Sequence, residues 1–234
     1  MRILNCSAWL ASAVALWSGS MSGQSAPPSN DWLVVPGLRV GPITASSTRA
    51  DLRRLFSADA VRDEDIELDE GLLRPGTLVF KGAPAEELAI FWTGKEADAH
   101  PKEIFLCFGR RRGACRWQTP GGIRVGLRLK ELEAMNEKPF TVTSFGWDWG
   151  GNVLSWADGK LAKLDCSGKL VITLDAERIR AGEYTVKLTP EEMHAVAGGR
   201  DVSSADPAMQ KLNPGVVGLL YQFAGPDTPK CASP

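Results

Sequence analysis

The side chains best suited to holding a ligand lie in the stretch Phe145–Trp149, which alternates aromatic residues with glycine and aspartate. If this stretch is a β-strand, its side chains point alternately to two faces. Trp147 and Trp149 then share a face with Phe145, and Asp148 lies opposite. An aromatic face beside a carboxylate could hold a sugar or a peptide, so Trp147, Asp148 and Trp149 are candidate ligand-binding residues. The alternative is that the rings belong to the core, since an aromatic side chain buries roughly 150–250 Å².

Catalytic groups are few. The chain has two histidines, His100 and His194, and a serine hydrolase needs a histidine held between a nucleophile and an acid. His194 could be combined with Asp201 or Asp206 and with Ser203, but no strand–turn–helix elbow surrounds any serine. Paired carboxylates of the glycosidase type stay open, because the sequence does not show how far apart two acids lie in space. We therefore assign no catalytic residue and keep an unrecognised hydrolase as an alternative.

The acidic run Asp63–Gly71 superficially resembles a calcium-binding loop. Such a loop requires glycine at its sixth position and glutamate at its twelfth. Counted from Asp65, those positions hold Glu70 and Gly76, so the match fails. We interpret the run as the solvated side of a strand, whose charges discourage pairing at a sheet edge. With no Cys-x-x-Cys pair and no dinucleotide or phosphate-loop fingerprint, the sequence predicts neither a metal nor a cofactor.

The N-terminus has the pattern of a secretory signal peptide. Arg2 is the only charged residue before Asp31, and it precedes an apolar run, Ile3–Trp17, and then small and polar residues. We expect residues 1–25 to be a cleaved leader and residues 26–31 a linker. The apolar run is too short and too polar for a comfortable membrane span, although an uncleaved anchor is the alternative. The prediction is a secreted or periplasmic protein with no stable span after cleavage.

Four of the five cysteines follow the leader, and an even number outside the cytoplasm favours disulfides. Cys107 and Cys115 flank a tight turn, residues 109–113, between strand-like segments, so we predict a bridge between them. Cys166 and Cys231 are paired only by elimination.

The charge of the chain gives no reason to expect a nucleic acid or an anionic lipid as partner. The formal net charge is −1, and such partners require a concentrated basic surface. The run Arg110–Arg112 is interpreted as a solvated turn, with an anionic partner as the alternative.

Two similar stretches organise the rest of the chain. Gly37–Gly41 and Gly122–Gly126 begin 85 residues apart, and each reads as a short strand between glycines. A helical pattern follows each copy, at Thr48–Phe56 and at Leu127–Met135, and strand-like runs come next. In the first helix Thr48 and Asp51 form a capping-box pattern.

These units predict an α+β fold of two strand–helix–β-meander modules with mostly antiparallel sheets, packed together. The first module covers residues 32–117 and the second residues 121–225, with a tail at residues 226–234. Parallel winding is disfavoured because few connections are long enough to hold a crossover helix.

The repeated unit resembles the tandem repeat of β-lactamase-inhibitor-protein-like and SmpA/OmlA envelope proteins. The residues that carry the resemblance are Arg39–Gly41 with Leu52 and Phe56, and Arg124–Gly126 with Leu132. The whole sequence also resembles an uncharacterised bacterial secreted family. The first resemblance implies a scaffold that binds other proteins of the envelope.

The sequence therefore predicts a non-enzymatic protein that contacts another envelope protein through sheet edges or hairpin tips. The alternative from a different class is a glycan (cell-wall) binding protein that uses Trp147 and Trp149.

Overall fold

The structure is a computed structural model and describes residues 30–68, 71–108, 115–146, 150–165, 168–175 and 186–225. Within these ranges the chain forms twelve β-strands and four α-helices. In chain order they are β1 (Val34–Val35), β2 (Arg39–Val40), β3 (Ile43–Thr44), α1 (Arg49–Phe56), β4 (Val61–Glu67), β5 (Leu73–Val79), β6 (Leu88–Trp92), β7 (Pro101–Leu106), α2 (Leu129–Asn136), β8 (Thr141–Val142), β9 (Val153–Ser155), β10 (Gly168–Leu174), α3 (Pro190–Ala197), β11 (Val202–Ser203), α4 (Pro207–Leu212) and β12 (Val216–Phe223).

The largest sheet has six strands in the order β10-β12-β7-β6-β5-β4. All neighbouring strands are antiparallel, and β4 to β7 form a meander. The β-branched and aromatic composition of these strands suits a pleated, buried surface, and every residue of β6 is buried. Two three-stranded sheets, β1-β2-β3 and β11-β8-β9, complete the strand pairing of the described residues.

Helices α1 and α4 begin at local capping residues. At the start of α1 the Asp51 N–H donates to Thr48 Oγ1 (3.3 Å), and the Thr48 N–H donates to Asp51 Oδ2 (2.8 Å). This reciprocal capping box confirms the prediction. Leu52 and Phe56, one turn apart, are the buried residues of the helix. At the start of α4, Asp206 accepts a hydrogen bond from the Ala208 N–H, and proline occupies the first helical position.

The two faces of the six-stranded sheet are covered differently. One face contributes Val79, Ile90, Ile104 and Leu219 to the main core, which also takes in buried residues of all four described helices. The opposite face carries a smaller apolar cluster of four buried residues, with three half-buried ones beside it. The buried members are Ile66, Leu78, Ala89 and Phe91. We call this group the second cluster.

The mixture of helices and antiparallel sheets is an α+β fold, as predicted. The division into two modules is not confirmed. Strand β12, from the second predicted module, pairs with β7 of the first, and one continuous group of buried side chains extends from Val34 to Tyr221.

Two predicted strands are shorter than the sequence suggests. Strand β7 ends at Leu106, and the described residues Cys115–Trp117 contain no strand that could pair with it in the expected hairpin. Gln118 makes isolated bridges to Leu33 and Arg124. The aromatic stretch that begins at Phe145, considered above as a strand, is not one at its described residues, because β8 ends at Val142. Phe145 lies in a turn, where its N–H donates to the carbonyl of Val196 (2.9 Å).

Candidate functional site

The hairpin formed by β4 and β5 extends beyond the rest of the six-stranded sheet. All seven residues of β4 pair with β5, from Val61↔Val79 to Glu67↔Leu73. Only Thr77, Leu78 and Val79 of β5 pair with β6. Pro75 has no N–H to offer a further strand, which suits a position outside the continuous ladder. We call the projecting residues, 64–68 and 71–76, the hairpin arm.

The tip of the hairpin arm exposes two adjacent leucines. The Leu68 N–H donates to the carbonyl of Leu72 (2.8 Å) and closes the ladder at the tip. Leu72, which accepts this bond, and Leu73, which pairs with Glu67, are 62% and 59% exposed. Gly71 adopts φ +76°, a left-handed conformation that glycine accepts without strain. Adjacent large apolar residues on a projecting hairpin are a feature of contact surfaces rather than of an isolated sheet.

The base of the hairpin arm is fixed to the second cluster. The Arg74 guanidinium lies 4.2 Å from the centroid of the Phe91 ring, and Arg74 Nη1 donates to Glu103 Oε2 (2.8 Å). Ile66 packs over Gly76, where a Cβ atom would come within 2.6 Å of Ile66 Cδ1. The arm is therefore held along its inner half, while its tip stays exposed.

A polar network joins the hairpin to α1. Trp92 Nε1 donates to Thr77 Oγ1 (2.9 Å), Thr77 Oγ1 donates to Asp63 Oδ1 (2.5 Å), and Arg53 Nη2 lies 2.5 Å from Asp63 Oδ2. Partial burial alone would raise the pKa of Asp63, but the hydrogen bonds from Thr77 and Arg53 outweigh it and lower this pKa below its usual value. Asp63 is therefore an acceptor engaged within the protein.

Strand β4 lies at the edge of the sheet, as its acidic run predicts. Lys81 Nζ approaches Glu64 Oε1 at 2.6 Å. Asp65 and Glu67 are exposed, and within the described residues neither forms an ion pair. The outer strand of the hairpin thus keeps uncompensated negative charge next to the two leucines.

Some of the predicted site residues are described by the structure, and others are not. Cys107 and Cys115 form a disulfide, with sulfur atoms 2.02 Å apart, as the sequence favours. The candidate ligand-binding residues Trp147, Asp148 and Trp149 lie outside the described residues, as do the leader, Arg110–Arg112, the tail, and both Cys166 and Cys231. Of the aromatic stretch, the described Phe145 is fully buried, and it is not part of a strand. Glycan binding through the two tryptophans stays a prediction.

Two of the residues considered for hydrolysis, Asp206 and Ser203, accept hydrogen bonds from nearby main-chain N–H groups. Asp206 Oδ1 accepts from the Ala208 N–H (2.8 Å), and Ser203 Oγ accepts from the Ala205 N–H (3.2 Å). His100 Nδ1 lies 3.3 Å from the carbonyl oxygen of Ser47. None of these contacts links a nucleophile to a base. In the described part of the chain, no group of three or more histidine, cysteine, aspartate or glutamate side chains is placed to hold a metal ion.

A shallow depression of about 300 Å³ beside α2 is lined by two acids, Glu133 and Glu137. Ser204 Oγ donates to Glu133, and Gln210 Nε2 lies 3.3 Å from the same carboxylate. Lys160 pairs with Glu137. Both carboxylates therefore have side-chain partners within the protein.

Sequence reasoning did not single out Leu72 and Leu73. A pair of leucines after a glycine reads as the start of a buried strand, and only the length of β4–β5 pairing shows that it projects. The acidic residues that precede Gly71, with Pro75 shortly after it, were the available signal that this hairpin lies at an edge.

Comparison with known proteins adds no relative: no family model, no curated protein and no solved structure matches this chain. Among the described residues, no helix combines the length and the apolar character that crossing a bilayer requires.

Proposed function

We propose that this chain is a non-enzymatic protein-binding module that acts outside the cytoplasm, and that the hairpin arm is its contact surface. The observation that carries the proposal is the projecting tip with Leu72 and Leu73 at 62% and 59% exposure. Burying a leucine side chain stabilises by roughly 1.5–3 kcal/mol, so a partner that covers the tip gains substantial free energy.

The environment of the tip favours a specific partner over general adhesion. Asp65 and Glu67 lie on the strand that leads to the tip and place charge beside the leucines. Charge of one sign repels identical molecules and limits self-association at a sheet edge. An apolar contact with a charged rim is the usual plan of a protein–protein interface.

Two further observations support a location outside the cytoplasm. The disulfide between Cys107 and Cys115 is of a kind that persists in oxidising surroundings and is rare in the cytoplasm. The N-terminal pattern of a secretory leader points the same way. We infer a secreted or periplasmic location and another envelope protein as the partner.

Site-directed photo-crosslinking tests the proposal. A photoreactive amino acid placed at position 73 of the full chain, expressed in its native cells, is expected to give a reproducible adduct with one partner protein. Leu154 and Val217 are 41% and 45% exposed and lie on β9 and β12, so the same probe at those positions is the matched control. Equal labelling from all three positions would contradict a contact surface at the arm.

The captured partner is then purified and its affinity measured directly. Leu72→Ser with Leu73→Ser is expected to weaken binding by about tenfold or more, since the leucines lose their burial. Leu154→Ser is expected to leave the affinity unchanged. Circular dichroism checks that both variants stay folded, and an unchanged affinity in the folded double variant would overturn the proposal.

A further inference from the structure

The main-chain groups of β4 can be sorted by the direction in which they point. The Leu68 N–H donates to the carbonyl of Leu72 (2.8 Å), and the Phe80 N–H donates to the carbonyl of Ala60 (2.9 Å). In an antiparallel pair the residues that exchange hydrogen bonds alternate with residues that do not. The residues of these two bonded pairs that lie on the β4 side, Leu68 and Ala60, both have even numbers, and the register continues this alternation along β4. Odd-numbered residues of β4 therefore direct their N–H and C=O groups away from β5.

Three consecutive odd-numbered residues, Asp63, Asp65 and Glu67, form this outward row. Among the described residues no strand pairs with this edge of the sheet. Because side chains alternate along a strand, the carboxylates of these residues lie on one face of β4. Asp63 is engaged by Arg53 and Thr77, whereas Asp65 and Glu67 have no ion-pair partner in the described ranges.

The residues between the acids present a different surface. Ile66 is 3% exposed within the second cluster, and Leu68 is half-buried beside it. A strand added to this edge would therefore meet carboxylates in alternate rows on one face and an apolar border on the other. Opposite charges directly across a strand pair stabilise it, and like charges destabilise it.

We propose that β4 accepts an extended segment of the partner as an added antiparallel strand. This segment carries basic residues opposite Asp65 and Glu67 and an apolar residue opposite Ile66. Main-chain hydrogen bonds to the outward row supply affinity, and the alternating side chains supply specificity. The inference rests on the proposed function, because it states the chemistry of the partner that the hairpin arm binds.

The same arrangement rejects a second copy of the chain. Two β4 strands pairing edge to edge would place acids against acids across the new ladder, which is destabilising. The acidic row therefore excludes self-pairing and selects a basic segment.

A model peptide tests the charge pattern. The probe is a fluorescein-labelled, capped hexapeptide in which lysine and valine alternate, titrated with the full chain and followed by fluorescence anisotropy. The control peptide has the same composition with its three lysines consecutive. Binding of the alternating peptide alone supports the added strand. Equal binding of both peptides would show charge attraction without strand pairing and would overturn the proposal, as would binding of neither.

Variants of the protein locate the contact. Asp65→Asn with Glu67→Gln removes both uncompensated charges, and we expect about 2- to 30-fold weaker binding from the loss of two cross-strand charge pairs. Asp98→Asn with Asp201→Asn removes two exposed acids elsewhere and is expected to leave the affinity unchanged. Equal losses in the two double variants would contradict a site at β4.

N-methylation of the peptide tests the orientation. In the antiparallel arrangement the lysines opposite Asp65 and Glu67 exchange hydrogen bonds with them, so methylating the lysine nitrogens is expected to abolish binding. Methylating the valine nitrogens is expected to preserve it. The reverse pattern would overturn the antiparallel register.

The two proposals can fail separately. If position 73 crosslinks to a partner whose binding needs the leucines, but the alternating peptide does not bind, the hairpin arm is a contact surface and the added strand is wrong. If neither result is obtained, the proposed function fails as well.

Discussion

The two glycine-flanked segments have similar sequences but different backbone contacts. In the first, Gly41 directly follows β2, which pairs with β1 and β3, and a full capping box starts α1. In the second, Arg124 makes only an isolated bridge to Gln118. There the Arg128 N–H donates to Glu131 Oε2 (2.8 Å), but an arginine side chain cannot accept the return bond of a capping box.

The helices nevertheless bury equivalent leucines. Leu52 of α1 and Leu132 of α2 are both fully buried in the main core. The glycine-flanked segments do not bury equivalent residues: Ile123 is buried in the same core, whereas Leu38, at the corresponding position of the first segment, is 60% exposed. The two regions therefore share the buried leucine of the helix, whereas the buried strand residue and the backbone contacts differ between them. Descent of both from one copied unit stays a prediction.

The largest expected effect tests the shared part of the comparison. Leu52→Ala and Leu132→Ala each remove a fully buried side chain, and each is expected to lower the free energy of unfolding by about 2–5 kcal/mol. Urea denaturation measures both. Arg54→Ala, on the exposed side of α1, is the control and is expected to change stability by less than about 1 kcal/mol. If either substitution left the free energy of unfolding unchanged, the two leucines would not contribute equally to the core.

Substitutions of Gly41 and Gly126 test the difference in backbone contacts between the two segments. Gly41 has φ +53°, and a Cβ atom there would lie 2.7 Å from Asn30 Oδ1 and 3.1 Å from the Trp117 ring. Gly126 has φ +91° but nothing within 4 Å. Gly41→Ala therefore combines backbone strain with crowding and is expected to cost about 2–4 kcal/mol. Gly126→Ala is expected to cost about 1–2 kcal/mol from the backbone alone. Equal losses in thermal or urea unfolding would contradict this asymmetry.

The sequence predicts elements well where the signals are local. The capping box of α1 is set by neighbouring residues, and the helix begins there as predicted. The acidic alternation of β4 indicated an edge strand, and β4 is one.

Pairing between strands that are far apart in the sequence could not be predicted from such local signals. Nothing in β12 or β7 alone shows that they are neighbours, although this pairing makes one sheet from the two predicted modules. The early end of β8 has a similar cause, since Phe145 bonds to Val196 at the end of α3. The hairpin arm is a further case, because the exposure of Leu72 and Leu73 depends on where β6 stops pairing.

The C-terminal ends of the two helices give a third contrast. Ser57, after α1, adopts φ 71° and ψ 152°, a region that is essentially restricted to glycine. Glu137, after α2, adopts φ 58° and ψ 11°, the left-handed conformation in which many helices end. Ser57→Gly is expected to raise the free energy of unfolding by about 1 kcal/mol, the release of strain exceeding the entropy that glycine adds to the unfolded chain. A destabilised Ser57→Gly variant in urea denaturation would contradict strain at this position.

The smallest effect concerns the N-terminal caps and depends on pH. The hydrogen bond from the Thr48 side chain, followed by that from Arg54, lowers the pKa of Asp51 from 3.8 to about 2. Because the folded state holds this pKa below its unfolded value, the contribution is fully present above pH 4 and is lost as pH falls through 2.

Thr48→Ala is therefore expected to cost about 1 kcal/mol at neutral pH, and its deficit relative to the unmodified protein should shrink as the pH falls from 4 toward 2. Arg128→Ala keeps the main-chain N–H that donates to Glu131, so we expect a smaller loss from it at neutral pH. Urea denaturation of the two variants at several pH values between 2 and 7 makes the comparison. If the Thr48→Ala deficit did not change with pH, the hydroxyl would stabilise α1 by capping the Asp51 N–H alone and not by holding its carboxylate ionised.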